Sequence, residues 1–220
     1  MQFPRGPVTN ALVVVNSVIA AILLVPSWWQ NAVISGGLFP IRLSSSSAAF
    51  ADIGFLVPAF LTPLSASFLH GGIVHVVMNM LMLLLIGKMV ERVLGGGLFL
   101  ALYVLSAYVA AGTEWLAAYL QWRMSLDMMA PAIGASGAIS GIIGAYVLLF
   151  PNKQPKPWGP IPAEIARPLH LTLAWIGLNL AMGFVGPGLG VGIAIWSHIG
   201  GFVMGLALAR PLLLWRYRNA

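Results

Sequence analysis

From Leu98 to Leu120 the chain runs the length of a membrane crossing with one charged side chain, Glu114. A hydrocarbon core of about 30 Å needs roughly 20 helical residues. Five further apolar stretches accompany this one, near Ala11–Val25, Ile73–Met89, Pro131–Phe150, Pro168–Val185 and Val191–Leu214. In lipid every backbone N–H and C=O must be satisfied within the chain, which makes such stretches helices. Only 7% of the residues are charged and the mean hydropathy is +0.93, whereas soluble domains carry about 25% charged residues. The reading is an all-α, polytopic membrane protein with six transmembrane helices. One membrane domain takes up residues 1–220, with short cytoplasmic tails at about 1–8 and 212–220. The first stretch follows Arg5 as a signal peptide would, but SWWQNAV behind it lacks a small-residue cleavage site. It reads as a retained span.

The charges set the orientation. With the N-terminus cytoplasmic, Arg5, Lys88, Arg92, Lys153, Lys156, Arg167, Arg210, Arg216 and Arg218 fall inside, and only Arg42 and Arg123 fall outside. Cytoplasmic loops carry such an excess, so both termini are placed inside, with the cell (inner) membrane as the expected location. The net charge of +6 therefore reports topology, and no nucleic-acid partner is expected. The chain has no cysteine, which excludes disulfides and thiolate metal sites. Residues 26–69 form a long external segment whose second half, GFLVPAFLTPLSASFL, is apolar. Pro58 and Pro63 argue against a spanning helix there, and an interfacial excursion packed on the bundle is expected.

Polar side chains at membrane depth need partners or a water-filled cavity. Within the proposed spans these are Asn16, His75, Asn79, Ser106, Ser136, Ser140, Asn179 and His198, with His70 at a span's start. Spans two, four and six all run from outside to inside. Ser136 then lies about five residues, or roughly 8 Å, into span four, and His198 about seven residues, or roughly 10 Å, into span six. His75 and Asn79, spaced i, i+4, share one face in the first turns of span two. Four costly groups thus share one level in the outer part of the membrane.

Their chemistry is complementary. A serine hydroxyl becomes a nucleophile when a histidine takes its proton, and the resulting oxyanion needs aimed donors. The Ser136 N–H at a helix start, His75 and Asn79 are the candidates. Gly134 and Gly137 leave room beside the serine, and the G-x-S-x-G elbow of soluble hydrolases is absent because glycine follows Ser136 directly. The carboxylates lie in loops or near span ends, so a Ser–His dyad is expected rather than a triad. Gly137-x-x-x-Gly141 and Gly201-x-x-x-Gly205 are small-residue faces that could bring spans four and six together. Taken singly, each of these features has a bland explanation: GxxxG packs helices, a lone serine bonds back to its own helix, and a histidine or asparagine bonds a neighbouring helix. The joint pattern favours catalysis. Ser140 keeps the packing role, and His70 divides between structural bonding and the site. A metal held by His70, His75 and His198 would lack an acidic ligand and leave Ser136 unexplained. No metal or cofactor is expected.

At these residues the chain resembles the rhomboid family of intramembrane serine proteases. The matching pieces are His70-GGIV-His75-VVM-Asn79, Gly87-KMV-Glu91-RVL-Gly95, Gly134-Ala135-Ser136-Gly137 and His198-IG-Gly201-FVM-Gly205. The resemblance implies a six-helix bundle with a cavity open to the outside, Ser136 as nucleophile, His198 as general base, and an oxyanion hole of His75, Asn79 and the Ser136 N–H. It implies that the partner is the transmembrane segment of another membrane protein, met within the lipid bilayer and cleaved near its outer end. It further implies that the 186–190 loop caps the site and that span five gates it. The alternative within this resemblance is a pseudoprotease that binds transmembrane helices without cleaving them, but such relatives typically lack the serine or the histidine. A transporter would need a polar pathway across the membrane, whereas the polar set clusters on one side. Two positions depart from the family pattern. Arg42 stands in FPIRL without the tryptophan of a Trp-Arg pair, and Ser140 occupies a position where some members have an aromatic packed on the catalytic histidine. His198 is then expected to rest on Trp196 or Tyr146.

Overall fold

The computed structural model describes residues 5–44, 56–120, 129–150, 157–185 and 192–219. Each of the six apolar stretches forms one helix: α1 (Pro7–Ile22), α3 (Ile73–Leu94), α4 (Gly96–Leu120), α5 (Ser136–Leu149), α6 (Ala163–Val185) and α7 (Ile195–Arg216). A shorter helix, α2 (Pro26–Gly36), lies between α1 and α3. Helices α3, α4, α6 and α7 are long and apolar enough to cross a membrane, and α1 and α5 are shorter apolar helices. The fold is an all-α, polytopic membrane bundle.

Local chemistry sets the boundaries. α3 ends where Gly95 takes a positive φ of 78° and its N–H bonds the Glu91 carbonyl, a helix stop that glycine adopts without Cβ strain. α1 starts against Glu91, whose buried carboxylate accepts from the N–H groups of Val8 and Thr9 and from Thr9 Oγ1 at 3.0, 2.8 and 2.7 Å. Two of the unpaired donors of that N-terminus are thereby satisfied, with negative charge at the positive end of the helix dipole. α1 begins at Pro7 and α7 continues to Arg216.

The interior is built on α5, which buries almost every residue from Gly137 to Val147. Its two neighbours, α4 and α7, approach through small residues. A Cβ on Gly201 would overlap the Gly137 carbonyl, and one on Gly205 the Gly141 carbonyl. On the other side, a Cβ on Gly137 would come within 2.8 Å of Ala110 Cβ, and one on Gly141 would overlap Ser106. The backbones of α5 and α7 thus touch at two successive turns, as small-xxx-small faces permit. Phe99, Leu102, Tyr103, Ile142 and Phe202 fill the space around this contact.

The described residues of the 37–69 stretch form short pieces, as its prolines require. Residues 40–43 and 59–68 form short helical pieces in which Arg42, Thr62, Pro63, Ala66 and Ser67 are buried. Arg42 donates to the carbonyls of Ser35 and Val57, and Trp115 Nε1 donates to Ser44 Oγ at 2.9 Å. These bonds tie the segment to itself and to α4 without a Trp-Arg pair.

Candidate active site

Ser136 is the first residue of α5, and the chain reaches it by an irregular path. Residues 131–135 are not helical, so Ser136 stands at a helix start and not five residues inside one. Proline at 131 and the backbone of Gly134, with φ of +116°, keep the helix from starting earlier. The segment between α1 and α3 fixes this approach: Leu38 and Ala132 exchange two backbone hydrogen bonds of 3.3 and 2.8 Å, and Gly134 N–H bonds the Ala66 carbonyl at 2.9 Å. Gly134 is required for space as well as for φ, because a Cβ there would sit 2.7 Å from His75 Nε2. His198 likewise lies in the first turn of α7, which starts at Ile195. His75 lies in the first turn of α3 and Asn79 in its second. The shared level read from hydropathy is in fact three helix N-termini meeting at one end.

The side chains converge. His198 Nε2 lies 2.8 Å from Ser136 Oγ, a direct hydrogen bond. Gly71 N–H donates to His75 Nδ1 at 3.3 Å, so a neutral His75 carries its proton on Nε2, the atom that faces Gly134. Asn79 Nδ2 is buried with no hydrogen-bond partner among the described residues, and it too faces Gly134. The Ser136 N–H, opening its helix, has no carbonyl of that helix to bind. Three donors therefore surround the backbone just before the serine. A cavity of about 30 Å³ lies beside them, lined by Ser136, Gly134, Ala107, Ala110 and Ser197 among others, which is room enough for water.

Other expectations meet mixed outcomes. Ser140 Oγ donates to the Ser136 carbonyl at 2.7 Å, the local helix bond foreseen for it. His198 rests on neither aromatic: Trp196 is 45% exposed and lends only its carbonyl, to Thr113 Oγ1, and Tyr146 stacks on Phe150. The partner of His198 is Asn179 on α6, whose Oδ1 lies 2.6 Å from His198 Nδ1. The sequence exposes Asn179 only as one more polar residue in a span, and nothing in its spacing points to α7. A carboxylate does come close to the turn that carries His198. Glu114 accepts the N–H of Ser197 at 2.8 Å and so braces the first turn of α7. His70 lies in the connector before α3, its ring edge-on to His75 at 5.1 Å. Its ring nitrogens are buried. Burial, and then the nearness of His75, hold its imidazole down at about 4, so it is neutral at physiological pH. Among the described residues no group of three or more His, Asp or Glu is placed to hold a metal ion. The 186–190 loop lies outside the described residues.

A family model described as the Rhomboid domain matches residues 58–215, well over half of the chain. The chain is 34% identical over 152 residues to RHOMBOID-like protein 4 of Arabidopsis thaliana, covering 69% of this chain and 34% of that protein. It is 31% identical over 158 residues to Rhomboid protease AarA of Providencia stuartii, covering 66% and 53%. To Rhomboid protease GluP of Bacillus subtilis it is 34% identical over 146 residues, covering 65% and 25%. The chain spans between about a quarter and about half of the length of these relatives. With its helical bundle and the family match across five of the six apolar helices, this membrane protein belongs to the rhomboid family.

Proposed function

We propose that this protein is an intramembrane serine endopeptidase that hydrolyses peptide bonds in or near transmembrane segments of other membrane proteins. The observation that carries the reading is the 2.8 Å contact between His198 Nε2 and Ser136 Oγ. Relatives named Rhomboid protease and Rhomboid-type serine protease support the same chemistry. In this reading Ser136 Oγ attacks the scissile carbonyl while His198 Nε2 takes its proton. The oxyanion of the tetrahedral intermediate accepts from the Ser136 N–H, His75 Nε2–H and Asn79 Nδ2–H. The buried, partnerless Asn79 donor fits this role, since an unpaired buried donor is costly until something accepts from it. His198 then gives the proton to the leaving amine, and a water it activates hydrolyses the acyl-enzyme. The site lies at the end of the bundle opposite Lys88, Glu91 and Arg216, which cluster around Gly6 and Gly95. With that basic end cytoplasmic, the site opens to the outer side of the membrane.

The test is cleavage of a reconstituted transmembrane substrate, paired with fluorophosphonate labelling of the solubilised protein. Wild type cleaves and is labelled at Ser136, whereas Ser136→Ala and His198→Ala do neither. Wild-type turnover by Ser136→Ala would sink the proposal.

A further inference from the structure

Helix α6 is the most outward-facing of the spanning helices. Among its described residues only Ala166, near its start, and Asn179 are buried. A lone buried amide on an otherwise lipid-facing helix needs a reason, because a polar side chain at membrane depth is costly without partners. Asn179 has both its partners. Nδ2 lies 2.8 Å from the Trp175 carbonyl, and Oδ1 lies 2.6 Å from His198 Nδ1. A carbonyl only accepts, so the amide group facing Trp175 must be the NH2. The oxygen is then the atom that meets His198, and an amide oxygen also only accepts. Nδ1 must therefore carry the imidazole proton, and in a neutral ring that leaves Nε2 with a lone pair. Nε2 is the atom 2.8 Å from Ser136 Oγ. One backbone carbonyl on α6 thus dictates, through Asn179, which nitrogen of the base can take a proton.

We propose that Asn179 is the positioning residue that locks His198 as its Nδ1–H tautomer, making the site a Ser136–His198–Asn179 array that is complete only while α6 is docked. The proposal rests on the protease reading for its catalytic consequence, although the tautomer itself does not depend on it. The amide takes the place that a carboxylate holds in a triad, while Glu114 bonds the Ser197 backbone one residue away. The ring of Trp175 stacks on Phe202 of α7, with centroids 6.0 Å apart, which sets α6 at the height where Asn179 meets His198. An outward shift of α6 by a few ångström would break the amide–imidazole bond and free the ring to change tautomer and rotamer.

The experiment is nitrogen-15 NMR of histidine-labelled protein in detergent at neutral pH, a tractable case with four histidines. His198 is assigned by the signals missing from His198→Gln. The expected spectrum has protonated Nδ1 and unprotonated Nε2 at His198, and loss of this pattern in the near-isosteric Asn179→Leu. In the cleavage assay Asn179→Leu should lose about tenfold to a hundredfold in kcat with KM within about threefold, because substrate binding is untouched while the base is misoriented. A wild-type His198 protonated on Nε2 overturns the proposal whether or not any variant folds. So does an Asn179→Leu protein that keeps the wild-type tautomer and kcat. In that last case Ser136→Ala would still abolish cleavage, leaving the protease reading intact.

Discussion

At the scale of single residues, the site depends on donors and acceptors whose roles are set by one neighbour each. Asn79 carries the clearest forecast. Its Nδ2 is buried without a partner among the described residues, so in the proposed mechanism Asn79→Ala removes a donor that serves only the transition state. The expected loss is about 10²–10³ in kcat with little change in KM, measured on the reconstituted substrate. Ser140 is the contrast. Its hydroxyl is engaged by the Ser136 carbonyl of its own helix, and Ser140→Ala should keep kcat within about twofold, since such helix back-bonds contribute little to stability. Gly134→Ala meets two obstacles, a φ of +116° and the ring of His75. It should cut activity by at least about tenfold while moving His75 out of line, a change visible in the same histidine spectra. The φ penalty alone is on the order of 1–3 kcal/mol.

At the scale of elements, α5 is held from both ends of its first turn. The α5–α7 contact is a backbone contact, so Gly201→Val has no side chain to displace and must push the helices apart. That change should lower the melting temperature sharply and also separate Ser136 from His198, with a penalty of about 3 kcal/mol or more. Thermal unfolding in detergent and fluorophosphonate labelling would report the two effects separately. The segment between α1 and α3 acts on the other side, because Ala66 and Leu38 hold the backbone of Gly134 and Ala132. Arg42 fastens that segment through the carbonyls of Ser35 and Val57. Arg42→Ala should therefore reduce labelling of Ser136 and lower stability by about 2 kcal/mol, the range for lost bonds to a charged group.

At the scale of the whole molecule, the charged end and the site end are distinct. Glu91 and Lys88 surround the start of α1, and Arg216 lies against Gly95, while Ser136, His75 and His198 all open helices at the opposite end. The native chain has no cysteine, which makes orientation directly measurable by single-cysteine variants. Trp28→Cys on the exposed face of α2 should react with a membrane-impermeant maleimide on intact cells. Tyr217→Cys, beyond the end of α7, should react only after the membrane is opened. The reverse pattern would invert the orientation drawn from the basic residues.

Hydropathy and charge determined the helices, because a bilayer leaves an apolar stretch no other way to satisfy its backbone. The glycine spacing on α5 and α7 was also legible, since an i, i+4 pair of missing side chains has few uses other than close approach. The residues at 70, 75, 79, 136 and 198 could be read as a set because polar groups are conspicuous against lipid. Three things could not be read. Helix starts at Ser136 and Ile195 were blurred, because 131–135 and 192–194 are as apolar as the helices they precede. The role of Arg42 depends on carbonyls fifteen and seven residues away that carry no side-chain signature. The bond from Asn179 to His198 joins two helices through side chains 19 residues apart, and no periodicity within either helix encodes the rotation that brings them face to face. A chain's pattern specifies which faces are polar; only packing decides which polar atom meets which.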